Sequence, residues 1–375
     1  MSTTRNHKLY FPNLNGLRFI AAFFVIINHT EQLKVYYKLG NGIVSDFAKN
    51  IGKLGVMLFF VLSGFLITYL LISEERITGK IHTKKFYIRR FLRILPIYIL
   101  IILVVFLVVN NFSFWEIPRM KSPIRDNFAP ILLLHIFLIP NMATAIYGFI
   151  PYIAQAWSIG TEEQSYLIWP LLLKKFKKYR LNLMIGIVLL HFVVRILLSH
   201  KLQLPIPFKE TLYKFWMHFN VDAIAIGSIF AILLFNKNTI LKYILNIRFF
   251  YFITVVTVIM LATAVKIPYL HYPFYSFLFG IIIINLAENE KLKNVLEWKI
   301  INYLGKISYG IYMYHFIVLI PVLMLVSNLK LDNNIIIYSL ITSITIAISS
   351  LSYNYFETYF LKMKTKHSFI KSGKI

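Results

Sequence analysis

A cation and an imidazole bracket the first long apolar stretch of the chain, Leu14 to Thr30, with Arg18 near its start and His29 near its end. Eleven positions separate the two, just over three helical turns, so both side chains lie on one helix face, roughly 16 Å apart along the axis. A bilayer core is about 30 Å thick, so an arginine at one surface leaves the histidine well inside. An imidazole at that depth is a candidate general acid or base. The alternative is a surface anchor and a separate, hydrogen-bonded buried histidine.

Two further arginines, Arg90 and Arg93 of the segment RRFLR, stand three residues apart and point the same way at the start of another apolar stretch. Guanidinium groups bind phosphate and carboxylate through paired hydrogen bonds, so the pair indicates an anion clamp. With Arg18 from the first helix, it could hold a phosphorylated carrier. The alternative is that these residues, like Arg89 beside them, only orient the helix in the membrane.

Three carboxylates stand in or beside apolar segments. Glu162 and Glu163 open the segment TEEQSYLIWP, where the helix dipole favours acids and Thr161 is the predicted N-cap, which accounts for one of the two. The second would face the interior and orient His29 or take a proton. Asp222, in FNVDAIAIG, needs a partner inside a span. It either pairs structurally with an arginine or histidine or belongs to the site.

A later segment, LGKISYGIYMYHFIVL, places Tyr309, Tyr312 and His315 three residues apart on one stripe. The stripe indicates either a substrate-binding face or an aromatic belt with a bonded histidine. The chain has no cysteine, which excludes a thiolate nucleophile. No histidine–carboxylate spacing resembles a metal motif, so we expect no metal.

Composition predicts the environment of these residues. The 375-residue chain is 58% hydrophobic, in long runs, and only helices satisfy their own backbone in lipid over such runs. We therefore predict an all-α, polytopic transmembrane helical bundle. Lysine and arginine total 40 against 15 acidic residues, a net charge of +25. Because they gather in short loops, they indicate membrane orientation and anionic lipid headgroups rather than nucleic acid.

The apolar pattern predicts about ten spans, with both termini in the cytoplasm. Residues 128–140 are apolar but short for a crossing, and a crossing there would move the basic segment KKFKKYR, 174–180, outside. We interpret 128–140 as re-entrant or interfacial, and residues 1–375 as one integral-membrane domain with no appended soluble domain. The predicted spans are 14–33, 54–73, a third from FYIRRFLRILPIY to about 109, 157–173, 181–199, 215–235, 249–265, 271–287, 306–328 and 334–361.

In its motifs the chain resembles the integral-membrane acyltransferase-3 proteins over nearly its whole length. LNGLRFIAAFFVIINH is similar to the opening helix of that family, with Arg18 and His29 at the motif positions. FYIRRFLRILPIY resembles its paired-arginine motif, and LFFVLSGFLIT, WSIGTEEQSYLIWP, VDAIAIG and LGKISYGIYMYH resemble further blocks in order. The departures are Asn15 in place of Asp, Ser165 in place of an aromatic residue, Tyr314 in place of Trp, and FETYF, which keeps Glu357 without the usual Arg-Pro.

The resemblance implies transfer of an acyl group, commonly acetyl from acetyl-CoA, to a hydroxyl of a cell-surface or lipid-linked glycan. On this chain it implies cytoplasmic acetyl-CoA held by Arg18, Arg90 and Arg93. His29 would act as general base on the acceptor hydroxyl or carry the acyl group as an acyl-histidine, and Glu162 would orient His29 or the sugar.

Asp222, Tyr309 and His315 are then expected to bind substrate. The expected partners are an acyl-CoA, a glycan acceptor and membrane lipids, with a homo-oligomer left open, in a bacterial inner membrane. The alternative function is a proton-coupled transporter or flippase for a glycan or small anion, since buried Arg, His and Asp also build such pathways. The sequence shows no repeat of its first half in its second, which argues against a transporter.

Overall fold

The computed structural model describes residues 7–40, 46–199, 202 and 205–372. These residues are mostly helical, as the apolar runs predict. The helices are α1 (Leu14–Lys34), α2 (Asp46–Thr78), α3 (Thr83–Leu103), α4 (Pro123–Asp126), α5 (Phe128–Ile136), α6 (Pro140–Tyr147), α7 (Ala156–Lys175), α8 (Arg180–Leu198), α9 (Lys209–His218), α10 (Val221–Phe235), α11 (Leu241–Ile244), α12 (Ile247–Ala262), α13 (His271–Glu288), α14 (Lys299–Lys306), α15 (Ser308–Asn328), α16 (Asn334–Leu351) and α17 (Thr358–Thr365). π-Helical turns at Val104–Val108 and Ser352–Glu357 extend α3 and join α16 to α17.

Six helical segments are long and apolar enough to cross a membrane, so the chain is a membrane protein of the helical class. They are Asp46–Thr78, Thr83–Asn111, Lys177–Leu198, Lys209–Phe235, Ser308–Asn328 and Asn334–Thr365. The other four predicted spans coincide with α1, α7, α12 and α13. The count of ten and the cytoplasmic placement of both termini stay predictions.

Local structure departs from the sequence prediction at 215–235 and at Thr161, whereas the short segment 128–140 stays a predicted re-entrant or interfacial one. Residues 128–140 form the nine-residue α5 and a turn into α6, and α5 rises only about 14 Å. The predicted span 215–235 is broken between α9 and α10, where the Asn220 amide donates to the carbonyls of Met217 and His218 and so caps α9. Thr161 is not a cap, because α7 begins earlier, at Ala156. Its hydroxyl instead donates to the carbonyl of His218.

A short parallel ribbon adds β structure that the all-α prediction did not include. Its strands are β1 (His7–Leu9) and β2 (Ile370–Ser372), which pair from the two ends of the chain. Next to β1, the Tyr10 hydroxyl and the backbone N–H of Asn13 both donate to the carboxylate of Glu297. Burial and this carboxylate raise the pKa of Tyr10 to about 12, so the phenol stays protonated and can donate. The entry into α1 is therefore fixed against the segment before α14.

The centre of the bundle is the close parallel packing of α2 against α10, in which Thr68 meets Ser228 and Tyr69 meets Phe235. Added Cβ atoms at Gly64 and Gly227 would lie 1.9 Å from the Ile224 carbonyl oxygen and 2.1 Å from the Val61 carbonyl oxygen. Glycine at both positions therefore lets the two backbones approach. Trp169 of α7 donates its indole N–H to hydroxyls of α2 and α10. This layer supports the faces of α1, α2 and α7 that carry the candidate site.

Candidate active site

A cavity of about 370 Å³ lies among α1, α2, α3, α7, α15 and the turns that lead into α17. We call it the central cavity. Its wall carries six cationic side chains against three carboxylates. The cations are those of Arg18, Arg89, Arg90, Arg93, Lys306 and Lys364, and the acids are Glu74, Glu162 and Glu357. The excess of positive charge on the wall of this cavity favours an anionic ligand.

The three predicted anion-binding residues, Arg18, Arg90 and Arg93, all line this cavity, and we call them the arginine cluster. Arg18 donates to the Asn15 side chain over 3.2 Å. The Arg90 guanidinium lies over the ring of Tyr166, 5.3 Å from its centroid. Its Nε has no hydrogen-bond partner in the described part of the chain. Arg93 likewise makes no hydrogen bond or ion pair with any described residue. The cluster therefore presents unused donors that can bind phosphate.

Arg89 differs from its neighbours although it also lines the cavity. Its guanidinium donates to the Glu74 carboxylate and to the carbonyl of His367, each over 2.8 Å. Its charge is therefore paired, and it ties α2, α3 and the segment after α17 together. The C-terminal part of the chain folds back against α3 and also brings Lys364 of α17 to the cavity wall. There Lys364 is close enough to interact electrostatically with Arg90 and Arg93. Sequence reasoning missed Lys364, because only tertiary packing brings α17 back against α3.

The adjacent acids Glu162 and Glu163 point to different places. Glu162 lines the central cavity, where it accepts a 2.6 Å hydrogen bond from Ser63 of α2 and lies near the charges of the arginine cluster. Glu163 is buried, and its Oε1 has no partner in the described ranges. The hydrogen bond of Glu162 goes to Ser63 and not to His29, which another residue holds, and the alternative that Glu162 orients the sugar stays a prediction.

That residue is His315 of α15. Its Nε2 lies 2.8 Å from Nδ1 of His29, and its own Nδ1 lies 2.6 Å from the carbonyl oxygen of Tyr312. A carbonyl only accepts, so Nδ1 of His315 carries a proton and Nε2 of the neutral ring accepts from Nδ1–H of His29. His29 is then left with a lone pair on Nε2, the form that can act as a base. These contacts let His315 hold the His29 ring, and its expected role in substrate binding stays a prediction.

Neither histidine is among the described residues that line the central cavity, so Arg18 lines this cavity without His29, although the sequence puts both on one helix face. Tyr312 stands between them. It lines the cavity, its hydroxyl lies 2.7 Å from that of Ser158, and its backbone carbonyl holds His315. Its ring packs against that of His315, with centroids 5.9 Å apart. Tyr312 is therefore the partition between the arginine cluster and the histidine pair.

The two remaining residues predicted to bind substrate, Tyr309 and Asp222, lie in different parts of the structure. Tyr309 lines the central cavity and donates its hydroxyl to the carbonyl of Ile94 over 2.8 Å. Asp222 is buried elsewhere, and its Oδ2 lies 3.3 Å from both Arg195 and His191 of α8. Of the two interpretations of Asp222, the structural partner is the one its contacts support. The four-residue spacing of His191 and Arg195 puts both on one face of α8 but does not identify Asp222 as their partner.

Glu357, whose role the segment FETYF leaves open, lies at the end of the π-helical turn before α17 and lines the central cavity. Ser352 at the start of the same turn donates to it over 3.3 Å. π-Helical turns are frequent at functional sites because they displace side chains from the regular helical positions. In the described ranges, no group of three or more His, Cys, Asp and Glu residues could hold a metal ion.

Comparison with known proteins gives one family. The profile of a family described as an acyltransferase domain matches residues 11–354. Peptidoglycan O-acetyltransferase OatA of Listeria monocytogenes is 27% identical to this chain and aligns with 99% of it and 60% of its own length. A putative O-acetyltransferase of Staphylococcus aureus strain COL is 29% identical over 94% of this chain and 58% of its own.

The O-acetyltransferase OatA of Staphylococcus aureus strain NCTC 8325 is 28% identical over 93% of this chain and 57% of its own length. The chain thus spans about three fifths of the length of these curated relatives. No solved structure matches it.

Proposed function

The chain belongs to the acyltransferase-3 family, and from that premise we propose that it is a membrane O-acyltransferase that moves an acetyl group from acetyl-CoA to a glycan hydroxyl. The observation that carries the proposal is the arginine cluster. Guanidinium groups from two helices converge in one cavity and keep donors unused. A donor that carries several phosphates on a flexible arm fits this arrangement.

Acetyl-CoA would place its phosphates on Arg18, Arg90 and Arg93, with Lys364 adding charge at the wall. Its thioester arm would extend towards the apolar part of the cavity, which Phe59 and Phe60 line. The Glu162 carboxylate would balance the positive charge of the arginine cluster. Its hydrogen bond with Ser63 would hold that carboxylate in place. In this assignment Glu162 acts on the arginines and not on His29.

His29 is the proposed catalytic base. Nε2 of His29 would take the proton of the acceptor hydroxyl as its oxygen attacks the thioester carbonyl. The C–S bond then breaks, and the CoA thiolate leaves and takes up that proton. In the alternative, Nε2 itself attacks the carbonyl and the C–S bond breaks, which gives an acyl-histidine and CoA thiolate. The acceptor oxygen then attacks the acyl carbon, the C–N bond to His29 breaks, and the acceptor proton passes to the CoA thiolate. Both routes need the tautomer that His315 sets.

Tyr312 has to move for either route, because it separates the central cavity from the histidine pair. Its hydroxyl is held by Ser158 and by the Gln155 carbonyl, so displacement breaks these contacts. A partition that opens only when the donor is bound would keep water from the thioester. We therefore assign the structure to a closed state of the enzyme.

The acceptor and the location follow from the relatives as proposals. Three relatives carry names that include O-acetyltransferase, and one name specifies peptidoglycan. These names are consistent with a cell-wall or lipid-linked glycan as the acceptor. Such a glycan would reach His29 from the end of the bundle opposite the arginine cluster. The bacterial cytoplasmic membrane is the corresponding location.

The test is an assay of purified protein in lipid nanodiscs with acetyl-labelled acetyl-CoA and cell-wall glycan fragments. We expect label on glycan hydroxyls and release of CoA, and both should disappear in His29→Ala. In sealed vesicles, uptake of glycan or of a small anion without consumption of acetyl-CoA would instead support a transporter and contradict the proposal.

A further inference from the structure

A second cavity, also of about 370 Å³, opens where the end of α2, the start of α8 and the end of α10 meet. It shares no described lining residue with the central cavity. It lies beside the basic segment 174–180, whose charge the proposed reaction does not use. We call it the headgroup site.

Four cations and one carboxylate line the headgroup site. Glu75 uses both oxygens, one with Arg180 over 2.7 Å and one with Lys177 over 3.4 Å. Arg180 is almost completely buried, so its guanidinium is a fixed part of the site. Arg76 and Lys178 make no ion pair within the described ranges. The protein thus leaves two cations at this site without an anion.

The remaining wall is apolar and continues onto the outside of the bundle. Ile72, Ile232 and Phe235 line the cavity, and Arg76 lies over the Phe235 ring at 5.8 Å. Leu181, at the start of α8, also lines it. From Leu181 an apolar stripe runs along α8 at four-residue intervals. Its exposed members are Ile185, Leu189 and Val193, with 42%, 58% and 48% of their surface accessible.

We propose that the headgroup site binds an anionic phospholipid. The phosphate pairs with Arg76 and Lys178, and an acyl chain lies along the stripe on α8. Basic pockets between membrane helices bind anionic headgroups in this way. A free phosphate would use the cations but not the stripe, so the apolar wall favours the lipid over a soluble anion. This site is independent of acyl transfer.

The experiment compares two double variants of equal charge. Arg76→Gln with Lys178→Gln removes the two unpaired cations of the site. Lys174→Gln with Lys175→Gln removes the same charge, here from the basic segment 174–180 at exposed positions that do not line the cavity. Each protein is reconstituted in nanodiscs that contain phosphatidylglycerol and phosphatidylcholine, and the lipid retained after extraction into detergent is measured by native mass spectrometry.

We expect wild-type protein and the Lys174/Lys175 variant to retain phosphatidylglycerol selectively, and the Arg76/Lys178 variant to lose about tenfold in that retention. Equal losses in both variants would show diffuse attraction and overturn the site. A competition arm adds inorganic phosphate or glycerol phosphate. Displacement of the lipid by either at comparable concentration would show that the stripe contributes nothing, and would also overturn the proposal.

Discussion

His29 and His315 are 286 positions apart in the chain, yet their facing ring nitrogens are 2.8 Å apart and their rings are parallel to within 7°. The backbone carbonyl of Tyr312 completes the chain of hydrogen bonds and sets both tautomers. In the proposed reaction His315 does for His29 what a buried carboxylate does for other catalytic histidines: it holds the ring with Nε2 free.

The first prediction separates binding from chemistry at His29. Because His29 is not among the described lining residues of the central cavity, His29→Ala should leave the affinity for acetyl-CoA within about twofold while kcat falls by about 10²–10⁴. Equilibrium binding of labelled acetyl-CoA and a turnover assay on the same preparation measure the two quantities. Loss of donor binding in this variant would contradict the separate positions of His29 and the arginine cluster.

The second prediction concerns His315 as a positioning residue. His315→Ala removes the acceptor for Nδ1–H of His29, so kcat should fall by about 10²-fold without a change in KM for acetyl-CoA. His315→Gln keeps an oxygen that can accept from Nδ1–H of His29 and should recover part of the loss. If the alanine and glutamine variants were equally impaired, His315 would act by filling space and not by setting the tautomer.

The third prediction tests the arginine cluster with a change that keeps the charge. Arg93→Lys removes the planar fork, so KM for acetyl-CoA should rise about tenfold with little change in kcat. Arg248→Lys is the matched control, because Arg248 is exposed at the start of α12 and does not line the cavity. Equal KM values for both variants and the wild type would mean that the phosphates bind elsewhere.

The fourth prediction concerns the partition formed by Tyr312. Tyr312→Ala removes the side chain but keeps the backbone carbonyl that holds His315. The central cavity should then connect with the histidine pair, and acetyl-CoA should be hydrolysed faster without acceptor, as CoA release would show. Tyr309→Phe is the control, because Tyr309 lines the same cavity but donates its hydroxyl to the carbonyl of Ile94 and does not contact the histidine pair through a hydrogen bond. Unchanged hydrolysis in Tyr312→Ala would refute the partition.

The sequence predicts the parts of the site that follow from one helix and fails where two helices must meet. Arg90 and Arg93 are one turn apart, so their common direction follows from helical periodicity, and both do line the cavity. The pairing of His29 with His315, and the approach of Lys364 to α3, depend on how distant helices pack. Asp222 illustrates the same limit, because its burial was predictable and its choice of Arg195 was not.

The fifth prediction tests the packing that holds the site together. A methyl group at Gly64 would meet the Ile224 carbonyl oxygen at 1.9 Å, a backbone atom that cannot rotate away. Gly64→Ala should therefore push α2 from α10 and lower stability by about 1–3 kcal/mol, seen as a lower midpoint of thermal unfolding in detergent.

Gly186→Ala on α8 is the control. A Cβ there has no heavy atom within 4 Å among the described contacts, and alanine favours the helix, so stability should stay or rise. Since Ser63, which binds Glu162, is adjacent to Gly64, the Gly64 variant should also weaken acetyl-CoA binding. An unchanged midpoint in Gly64→Ala would mean that the two helices are not in backbone contact.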